Sequence, residues 1–446
     1  MSGGEEAAGR APAKSKEVPM PKILWLVSIT LPQAAAAVGL ASDQVGGGWL
    51  AGMLDALAPQ LRLTVASVDA RAKTPLSGEK DGVRFAVLPA ADGFDGLLAG
   101  EAPDLVHIWG TEYAAAAAMQ QAAARRGLPV LVGMQGVMSD CAAHLCDGVP
   151  QPYLHSGPLQ RAIDRVVPGA LLDKMQRQFD ALAQSEAALL ANARHVTGRT
   201  GFDRRAVAAL APHARYYPCN ETLRPAFWQA AGSWRAREFG RAPVILMSQG
   251  NYPLKNLHTA LLALPALLRQ WPGAVLRVAG WPPLDKGPLL RPVIRMMFPY
   301  QTWCARLIAQ NGLAGHVQYT GPLQAAEMRQ AYLDADLFLL PSYSENSPNS
   351  LGEAMLLGLP CVASRVGGVP DVTGGGAGAV LYGPAGDADA LAAAAASVLE
   401  LPDHGAALGK KASALARAQH DPAANAARML HIYGQVLQAE QEAGHD

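Results

Sequence analysis

Short apolar runs alternate with segments of helical composition along most of the chain. In the first half, the runs that are typical of buried strands are 23–29, 61–68, 83–88, 105–108, 129–132, 194–197 and 214–217. Ala-rich segments such as 114–126 separate several of them. Because strands that alternate with helices form βαβ units, this pattern predicts a parallel sheet with helices on its faces.

A second series of the same kind follows a predicted junction at 223–243. Its apolar runs are 244–248, 275–279, 316–320, 337–340 and 361–364. The chain then ends in a predicted long helix, which Asp421 caps and Pro422 opens. A chain of 446 residues is also too long for one ordinary core. We therefore predict an α/β protein with two Rossmann-like parallel-sheet domains that face a central cleft.

Composition and charge narrow the class of protein. Half of the residues are hydrophobic, 17% are charged and the formal net charge is zero, which is typical of a soluble globular protein and argues against a nucleic-acid partner. The five cysteines are scattered and odd in number, as expected of reduced thiols in a cytoplasm. Residues 1–21 lack the apolar core of a signal peptide and are predicted to be a disordered tail.

The stretch SENSPNSLGEAMLLGLP at 344–360 is the strongest candidate for a site. It follows the apolar run 337–340, and Ser347 with Pro348 predicts the start of a helix that ends near Gly358. Glu345 then lies in the loop beyond the carboxyl end of a parallel strand, where open α/β sheets bind ligands. Glu353 falls in the second turn of the helix.

The start of this helix predicts a site for an anion. The backbone N–H groups of Asn349, Ser350 and Leu351 lie in its first turn, which favours a group such as phosphate. Carboxylates beside a phosphate are better suited to accept hydrogen bonds from hydroxyl groups. A ligand with phosphates and many hydroxyls is a nucleotide sugar. The alternative, that Glu345 and Glu353 are ordinary solvated residues, stays open on the residues alone.

The segment 341–372 resembles the E-x7-E region of retaining GT-B glycosyltransferases of family 4, especially bacterial enzymes that build capsular polysaccharide or exopolysaccharide. Segments 103–112, 195–200, 219–224 and 250–257 resemble other parts of that family in the same order. The resemblance covers about 22 to 440. It implies an N-terminal acceptor-side domain over 22–225, a C-terminal nucleotide-sugar-binding domain over 240–424, and a final helix over 425–446 that crosses back to the first domain.

The resemblance also implies roles for individual residues on the donor side. Glu345 would orient hydroxyls of the donor sugar, Glu353 would bind the ribose, and Lys255 would bind the diphosphate. Gly250 and Asn251 belong to the phosphate loop, where Asn251 replaces an arginine of the family. Gly47 and Gly48 lie in a glycine-rich loop that would approach the diphosphate and the acceptor.

On the acceptor side, the resemblance points to Glu112, Gln135 and Arg199. Gln135 stands where many relatives have a histidine, so no histidine role is carried over. The implied reaction moves a sugar from a nucleoside-diphosphate donor to a glycan or lipid-linked acceptor in cell-surface polysaccharide synthesis. No metal or other cofactor is expected, because Lys255 and helix-terminal N–H groups would stabilise the leaving group. A non-catalytic nucleotide-sugar-binding scaffold and a nucleotide-sugar epimerase remain alternatives.

Two further stretches combine basic and large apolar residues. They could contact the cytoplasmic face of the inner membrane, or they could be core helices with solvated arginines. The first contains Arg161, Arg165, Lys174 and Arg177, and the second contains Arg291, Arg295, Met296, Met297, Phe298, Trp303 and Arg306.

Overall fold

The structure is a computed structural model that describes residues 20–41, 48–166, 168–238, 240, 242–282 and 291–443, with only the backbone of Arg291. Nearly all of the tail predicted at 1–21 lies outside these residues, and so does Gly47.

The first domain contains an eight-stranded sheet. Its strands are β1 (Lys22–Val27), β2 (Arg62–Val68), β3 (Leu76–Lys80), β4 (Val83–Leu88), β5 (Leu105–Trp109), β6 (Val130–Gly133), β7 (His195–Gly198) and β8 (Arg215–Pro218). The order is β3-β4-β2-β1-β5-β6-β7-β8, and every pair is parallel except β3–β4. The β3–β4 hairpin turns at Asp81 and Gly82, both of which have positive φ, as a type I′ hairpin turn requires.

The helices of this part of the chain are α1 (Pro32–Val38), α2 (Gly48–Leu57), α3 (Phe94–Glu101), α4 (Ala114–Ala124), α5 (Met138–His144), α6 (Gln151–Leu154), α7 (Pro158–Asp164), α8 (Leu172–Ala191) and α9 (Gly201–Leu210). Most of them cover the two faces of the sheet, whereas Tyr153 and Leu154 of α6 and Leu172 of α8 pack with the core of the second domain. Short 3₁₀ turns occur at Ala58–Gln60 and Ala91–Gly93. Strands such as β1 and β5 are buried on both sides, which explains why they appear in the sequence as continuous apolar runs.

The second domain has a six-stranded sheet in which all pairs are parallel. Its order is β11-β10-β9-β12-β13-β14. The strands are β9 (Val244–Met247), β10 (Val275–Val278), β11 (Val317–Tyr319), β12 (Leu337–Leu340), β13 (Cys361–Ser364) and β14 (Val380–Tyr382). The remaining helices are α10 (Pro225–Trp228), α11 (Leu257–Gln270), α12 (Arg291–Met297), α13 (Pro299–Gln310), α14 (Ala325–Leu333), α15 (Asn349–Leu357), α16 (Val369–Val372), α17 (Ala388–Leu399), α18 (Ala406–Gln419) and α19 (Pro422–Ala443), with a 3₁₀ turn at Pro253–Lys255.

The final helix, α19, returns to the first domain as predicted. Met429, Ile432 and Val436 pack in the core of the first sheet. The buried hydroxyl of Tyr433 accepts a hydrogen bond from Trp25 Nε1 at 2.9 Å and lies 2.8 Å from His107 Nδ1. These bonds satisfy the phenol oxygen of Tyr433, which is buried in this core.

The two chain crossings between the domains lie side by side. The outgoing crossing contains Glu221, whose carbonyl oxygen lies 2.9 Å from His420 Nδ1 and 3.3 Å from Asn425 Nδ2 on the returning crossing. Just after Glu221, the side chains of Leu223 and Phe227 already pack in the core of the second domain. The domain ranges taken from the resemblance remain a prediction, and this packing places the start of the second core near Leu223.

Among the helices that the structure describes, none combines the length and the hydropathy that a membrane-spanning segment requires.

Candidate active site

A cavity of about 460 Å³ lies between the domains, at the carboxyl edge of the second sheet. Both domains contribute to its walls. The lining residues are Gly48, Trp49, Arg224, Ser248, Gln249, Asn251, Ala279, Gly280, Trp281, Pro322, Leu323, Met328, Tyr332, Asn349, Ser350 and Glu353. This position agrees with the general rule that ligands bind beyond the carboxyl ends of the strands in open α/β sheets.

Glu345 and Lys255 form a close ion pair next to this cavity. Lys255 Nζ lies 2.6 Å from Glu345 Oε1, and Ser342 Oγ donates to the same oxygen at 2.7 Å. Burial alone would favour the neutral amine, but the carboxylate of Glu345 outweighs it, and the pKa of Lys255 is raised. The sequence singled out both residues, and the structure brings them together across 90 positions of the chain.

Two glycines hold the loop that carries Glu345. Gly367 has φ +50°, and a Cβ atom built on it would lie 2.0 Å from the carbonyl oxygen of Glu345. Gly368 donates its N–H to that oxygen at 3.0 Å, and a Cβ on Gly368 would lie 2.0 Å from the carbonyl oxygen of Asn346. The sequence analysis assigned these glycines no role. Only glycine fits at these two positions, because the backbone of 367–368 is in direct contact with the backbone of Glu345 and Asn346.

Helix α15 begins at Asn349, with Pro348 as its N-cap, rather than at the predicted Ser347 cap. Pro348 has ψ 109°, which is not helical, so the first turn starts one residue later. The N–H of Leu351 donates to the carbonyl oxygen of Pro348, and the Leu351 side chain is buried in the core. Within the described residues, the N–H groups of Asn349 and Ser350 have no protein acceptor, and both residues line the cavity.

Glu353 is buried at the wall of the cavity and forms a bidentate ion pair. Arg224 Nε and Nη2 donate to its two carboxylate oxygens at 2.6 and 2.7 Å. Burial raises the pKa of Glu353, and the guanidinium of Arg224 opposes that shift. Gly48 lies against Arg224, since a Cβ on Gly48 would be 2.5 Å from Arg224 Cδ. Sequence reasoning missed Arg224, although an arginine directly before Pro225 in the predicted junction was a visible signal.

Asn251 and Gly250 form the loop after β9. The side-chain oxygen of Asn251 lies 2.7 Å from the Cβ position of Gly280, so Asn251 packs on a residue that has no side chain. Gly250 fits against Leu257 and Val278, with the nearest atoms 3.1 Å from its Cβ position. Asn251 lines the cavity and supplies no positive charge there, so Lys255 is the cation of this loop.

Glu221 connects the acceptor-side candidates to the start of α15. Its carboxylate lies 2.6 Å from Arg199 Nη1 and accepts a hydrogen bond from Gln135 Nε2 at 2.7 Å. Its other oxygen accepts from Asn349 Nδ2 at 3.2 Å. Arg199 also donates to the carbonyl oxygen of Gln135 at 2.7 Å. The structure thus joins Gln135 and Arg199, and it adds Glu221, which sequence reasoning missed.

Glu112 lies close to this network. Its carboxylate accepts the N–H of Thr111 at 2.8 Å and lies against Gly110, where a Cβ would be 2.6 Å from Glu112 Oε2. Burial raises the pKa of Glu112, and the charge of Arg199 partly opposes this shift. Glu112 therefore lies beside the hydrogen-bonded group of Glu221, Arg199 and Gln135 and not on open surface.

Another buried carboxylate, that of Glu186 in α8, lies near Glu112, and Thr111 donates to both of them. Glu186 accepts the hydroxyl of Thr111 and, at 2.8 Å, the N–H of Met138 at the start of α5. Burial raises the pKa of Glu186 from about 4.5 to about 7. The folded protein therefore binds a proton here more tightly than the unfolded chain does.

We expect this carboxyl to make stability depend on pH. Because its pKa is higher in the folded state, its contribution is present in full below about pH 4.5 and is lost as the pH rises through about 7, by up to ~3 kcal/mol. Urea unfolding of the wild type and of Glu186→Gln between pH 5 and 8 measures this, because the amide does not titrate. The exposed Glu400→Gln serves as the control. Equal pH slopes for the wild type and Glu186→Gln would contradict the assignment.

The two domains touch on the other side of Glu345 as well. Ser344 Oγ donates to Asp140 Oδ2 at 2.5 Å, and Thr200 Oγ1 donates to Asn346 Oδ1 at 3.2 Å. Cys141 lies 3.8 Å from Ser344 Oγ, and burial raises the pKa of its thiol to about 11. At neutral pH, the thiol of Cys141 is therefore protonated and adds no charge to the cleft.

Two D-x-D pairs, Asp334 with Asp336 and Asp387 with Asp389, resemble a metal-binding motif in sequence, but each contains a residue with a structural partner. Asp336 accepts two hydrogen bonds from Arg237, at 2.6 and 2.8 Å, and Asp387 caps α17 through the N–H of Ala390. In the part of the chain that the structure describes, no three His, Cys, Asp or Glu residues are grouped so that they could hold a metal ion. The absence of a metal requirement remains a prediction.

Part of the chain matches a known protein family. Residues 233–415 match the family described as Glycosyl transferases group 1. This segment contains the second sheet and carries Lys255, Glu345 and Glu353. The family match therefore covers the donor-side candidates of the second domain, but it does not cover Gly47, Gly48 or the acceptor-side candidates.

Curated relatives match over shorter segments. Sulfoquinovosyl transferase SQD2 of Arabidopsis thaliana is 50% identical over 54 residues, which are 12% of this chain and 11% of that protein. A GDP-mannose-dependent alpha-(1-6)-phosphatidylinositol monomannoside mannosyltransferase of Mycolicibacterium smegmatis is 31% identical over 178 residues, which are 38% of this chain and 42% of that protein. The chain thus spans less than half the length of these relatives.

Solved structures match over nearly the whole chain. Sucrose-phosphate synthase from Thermosynechococcus elongatus has a TM-score of 0.67 at 17% identity, covering 94% of this chain and 100% of that one. Anabaena HepE in complex with UDP-glucose has a TM-score of 0.60 at 16% identity, covering 95% and 100%. This likeness shows the fold: the chain has the GT-B arrangement of two Rossmann-like domains, as the sequence predicts.

Proposed function

We propose that this protein is a retaining glycosyltransferase of family 4 that moves a sugar from a nucleoside-diphosphate donor to an acceptor. One observation carries the proposal: the Lys255–Glu345 pair and the open N–H groups of Asn349 and Ser350 lie together beside the interdomain cavity. A cation and helix-terminal N–H groups suit a diphosphate. The match of 233–415 to Glycosyl transferases group 1 supports the same chemistry.

The cavity suggests how the donor would lie. The diphosphate would sit between Lys255 and the start of α15, with Glu345 turned towards the sugar hydroxyls. The ribose would then reach Glu353 at the cavity wall. Its hydroxyls would either displace the guanidinium of Arg224 from the carboxylate of Glu353 or bind that carboxylate together with Arg224. The base would extend towards Trp281, whose side chain is 65% exposed at the cavity lining and offers a flat apolar face.

These residues would act mainly by stabilising charge on the leaving diphosphate and by positioning the sugar. As the bond between the sugar and the phosphate breaks, negative charge grows on the leaving diphosphate, and Lys255 with the two N–H groups would stabilise it without a metal. Release of Lys255 from Glu345 would free that carboxylate to accept hydrogen bonds from the sugar. Front-face attack by the acceptor hydroxyl, with the departing phosphate as base, would retain the anomeric configuration.

The acceptor would approach from the first domain. Glu112, Gln135 and Arg199 lie there, connected through Glu221. We propose a glycan or a lipid-linked acceptor, with a role in capsular polysaccharide or exopolysaccharide synthesis at the cytoplasmic side of the membrane. The resemblance of 341–372 to such enzymes supports this finer assignment.

Two observations favour a second candidate, a non-catalytic scaffold that binds nucleotide sugars. Both carboxylate oxygens of Glu353 are occupied by Arg224, and Asn251 replaces a cation in the phosphate loop. An epimerase would differ from both, since it would convert a nucleotide sugar without any acceptor.

A donor screen tests the proposal. Purified protein is incubated with a panel of nucleotide sugars, and release of nucleoside diphosphate is measured with and without glycan acceptors. We expect turnover with at least one donor and a decrease of at least about tenfold for Glu345→Ala. Glu442→Ala, an exposed change on α19, is the matched control.

Three outcomes would contradict the proposal. Turnover that Glu345→Ala leaves unchanged would reject the assigned site. Binding of a nucleotide sugar without release of diphosphate would favour the scaffold. Conversion of the donor sugar with no acceptor present and no diphosphate released would favour the epimerase.

A further inference from the structure

The two basic stretches noted in the sequence meet on one surface of the folded protein. We call it the bridging surface and define it by α7 with its following turn to Val166, and by α12. α7 follows α6, whose Tyr153 and Leu154 pack against the core of the second domain, and α12 belongs to the second domain. Gln160 Nε2 donates to the carbonyl oxygen of Met296 at 2.8 Å, which joins the two helices.

A second contact fixes the same junction. The N–H of Ala170 donates to the carbonyl oxygen of Met297 at 2.9 Å. Gly169 lies directly on that residue, because a Cβ on Gly169 would be 2.5 Å from the Met297 carbonyl oxygen. The bridging surface therefore joins two helices that are 127 positions or more apart in the chain, through defined contacts.

Large aliphatic side chains are unusually exposed here. Leu159 is 64% exposed, Val166 is 82% exposed and Val293 is 36% exposed. Within the described residues, these are three of the seven large apolar side chains that are exposed, and the other four lie at scattered positions: Met20, Leu262, Trp281 and Leu401. Leu159 lies in the first turn of α7, and Val166 lies in the turn that follows this helix.

Positive charge accompanies these aliphatic groups. Arg161, Arg165 and Arg295 are exposed, and within the described residues none of them has an ion-pair partner. The nearby acids are already paired, since Asp164 binds Lys174 at 2.7 Å and Asp173 binds Arg177 at 3.3 Å. A chain with zero formal net charge thus has a local positive excess on this surface.

We propose that the bridging surface binds an anionic lipid bilayer. Aliphatic tips between arginines are suited to the boundary of headgroups and acyl chains, where the guanidinium groups bind lipid phosphates and the apolar groups leave water. α7 and α12 have seven residues each, so they would lie on the bilayer rather than span it. This inference does not rest on the proposed sugar transfer, because it needs only the surface.

Vesicle flotation tests the proposal with the full chain. Vesicles of phosphatidylcholine alone are compared with vesicles in which about one lipid in three is phosphatidylglycerol, which gives a dense negative surface. We expect the wild type to float with the anionic vesicles and to remain behind with the neutral ones. Binding should weaken at about 0.5 M NaCl, because salt at this concentration screens surface charges.

Variants locate the binding to this surface. Arg161→Ser with Arg295→Ser removes one arginine from each of the two helices and should weaken the partition constant by about thirtyfold. The matched control is Arg62→Ser with Arg269→Ser, two exposed arginines that lie at the start of β2 and in the last turn of α11. Leu159→Ser with Val166→Ser should also weaken binding, but with an unchanged salt dependence.

Three results would overturn the proposal. They are absence of flotation of the wild type with anionic vesicles, equal flotation with neutral vesicles, and equal losses in the bridging and control variants. Light scattering without lipid provides a further check. A wild-type dimer that Leu159→Ser with Val166→Ser dissociates would identify a second copy of the chain as the occupant instead. Thermal melts of each variant confirm that the comparison is between folded proteins.

Discussion

Replacing Lys255 with alanine is expected to lower kcat for release of nucleoside diphosphate by about 10²–10³-fold. Lys255 is the cation that lies against Glu345 beside the start of α15, and Asn251 supplies no second charge in the same loop. Loss of the amine removes charge stabilisation that grows only as the leaving group departs. The decrease should therefore appear in kcat more than in KM.

Two further variants separate catalysis from folding. Lys255→Arg keeps the positive charge and should recover part of the activity, while Lys410→Ala, an exposed change on α18, should behave as the wild type. Thermal melting of each variant accompanies the kinetics, because Lys255→Ala also leaves Glu345 without its ion-pair partner. A stable Lys255→Ala protein with unchanged kcat would assign Lys255 a structural role only.

Replacing Arg224 with alanine is expected to lower the free energy of unfolding by about 3 kcal/mol at pH 7. The side chain of Glu353 is 4% exposed and that of Arg224 is 18% exposed, so the change leaves a buried carboxylate without a cation. Loss of the guanidinium also removes its contact with the ring of Phe227, whose centroid lies 4.6 Å away. Urea unfolding of the wild type and the variant measures the difference.

The pH dependence of this loss gives a second readout. Burial already raises the pKa of Glu353, and removal of Arg224 should raise it further. A carboxyl group with a raised pKa stabilises the folded state at low pH, and this stabilisation is lost as the pH rises. The loss in the free energy of unfolding of Arg224→Ala should therefore be larger at pH 8 than at pH 5. Arg224→Ala with Glu353→Gln should recover part of the loss. A deficit that does not change with pH would contradict an unpaired buried carboxylate.

The fold was largely predictable because its strands are buried on both faces. Runs such as Leu337–Leu340 need no alternation of polar and apolar residues, and they stand out against the Ala-rich helices. β3 was not predicted, since LSGEK at the sheet edge is mostly exposed and its pairing depends on the turn at Asp81 and Gly82. Edge strands lack the apolar signal that marks the interior of a sheet.

The donor side of the site was predictable in part. Glu345, Glu353 and the start of α15 follow from one local strand–loop–helix unit, and the structure places all three beside the cavity or in its lining. Their partners were not predictable. Arg224 is 129 positions from Glu353, and Glu221 is 128 positions from Asn349. Pairings of this kind arise from the docking of two domains, which no spacing in the sequence encodes.

The adjacency of the two interdomain crossings at Glu221 restricts how the cleft can widen. Both covalent links between the halves pass through one hydrogen-bonded point, so we expect that point to serve as a pivot. Displacement would be smallest at Glu221, and a wider cleft would have to break the hydrogen bond between Asp140 and Ser344. A truncation before α19 would remove one of the two links and uncover the first core, so the shortened chain would lose both its hinge and its solubility.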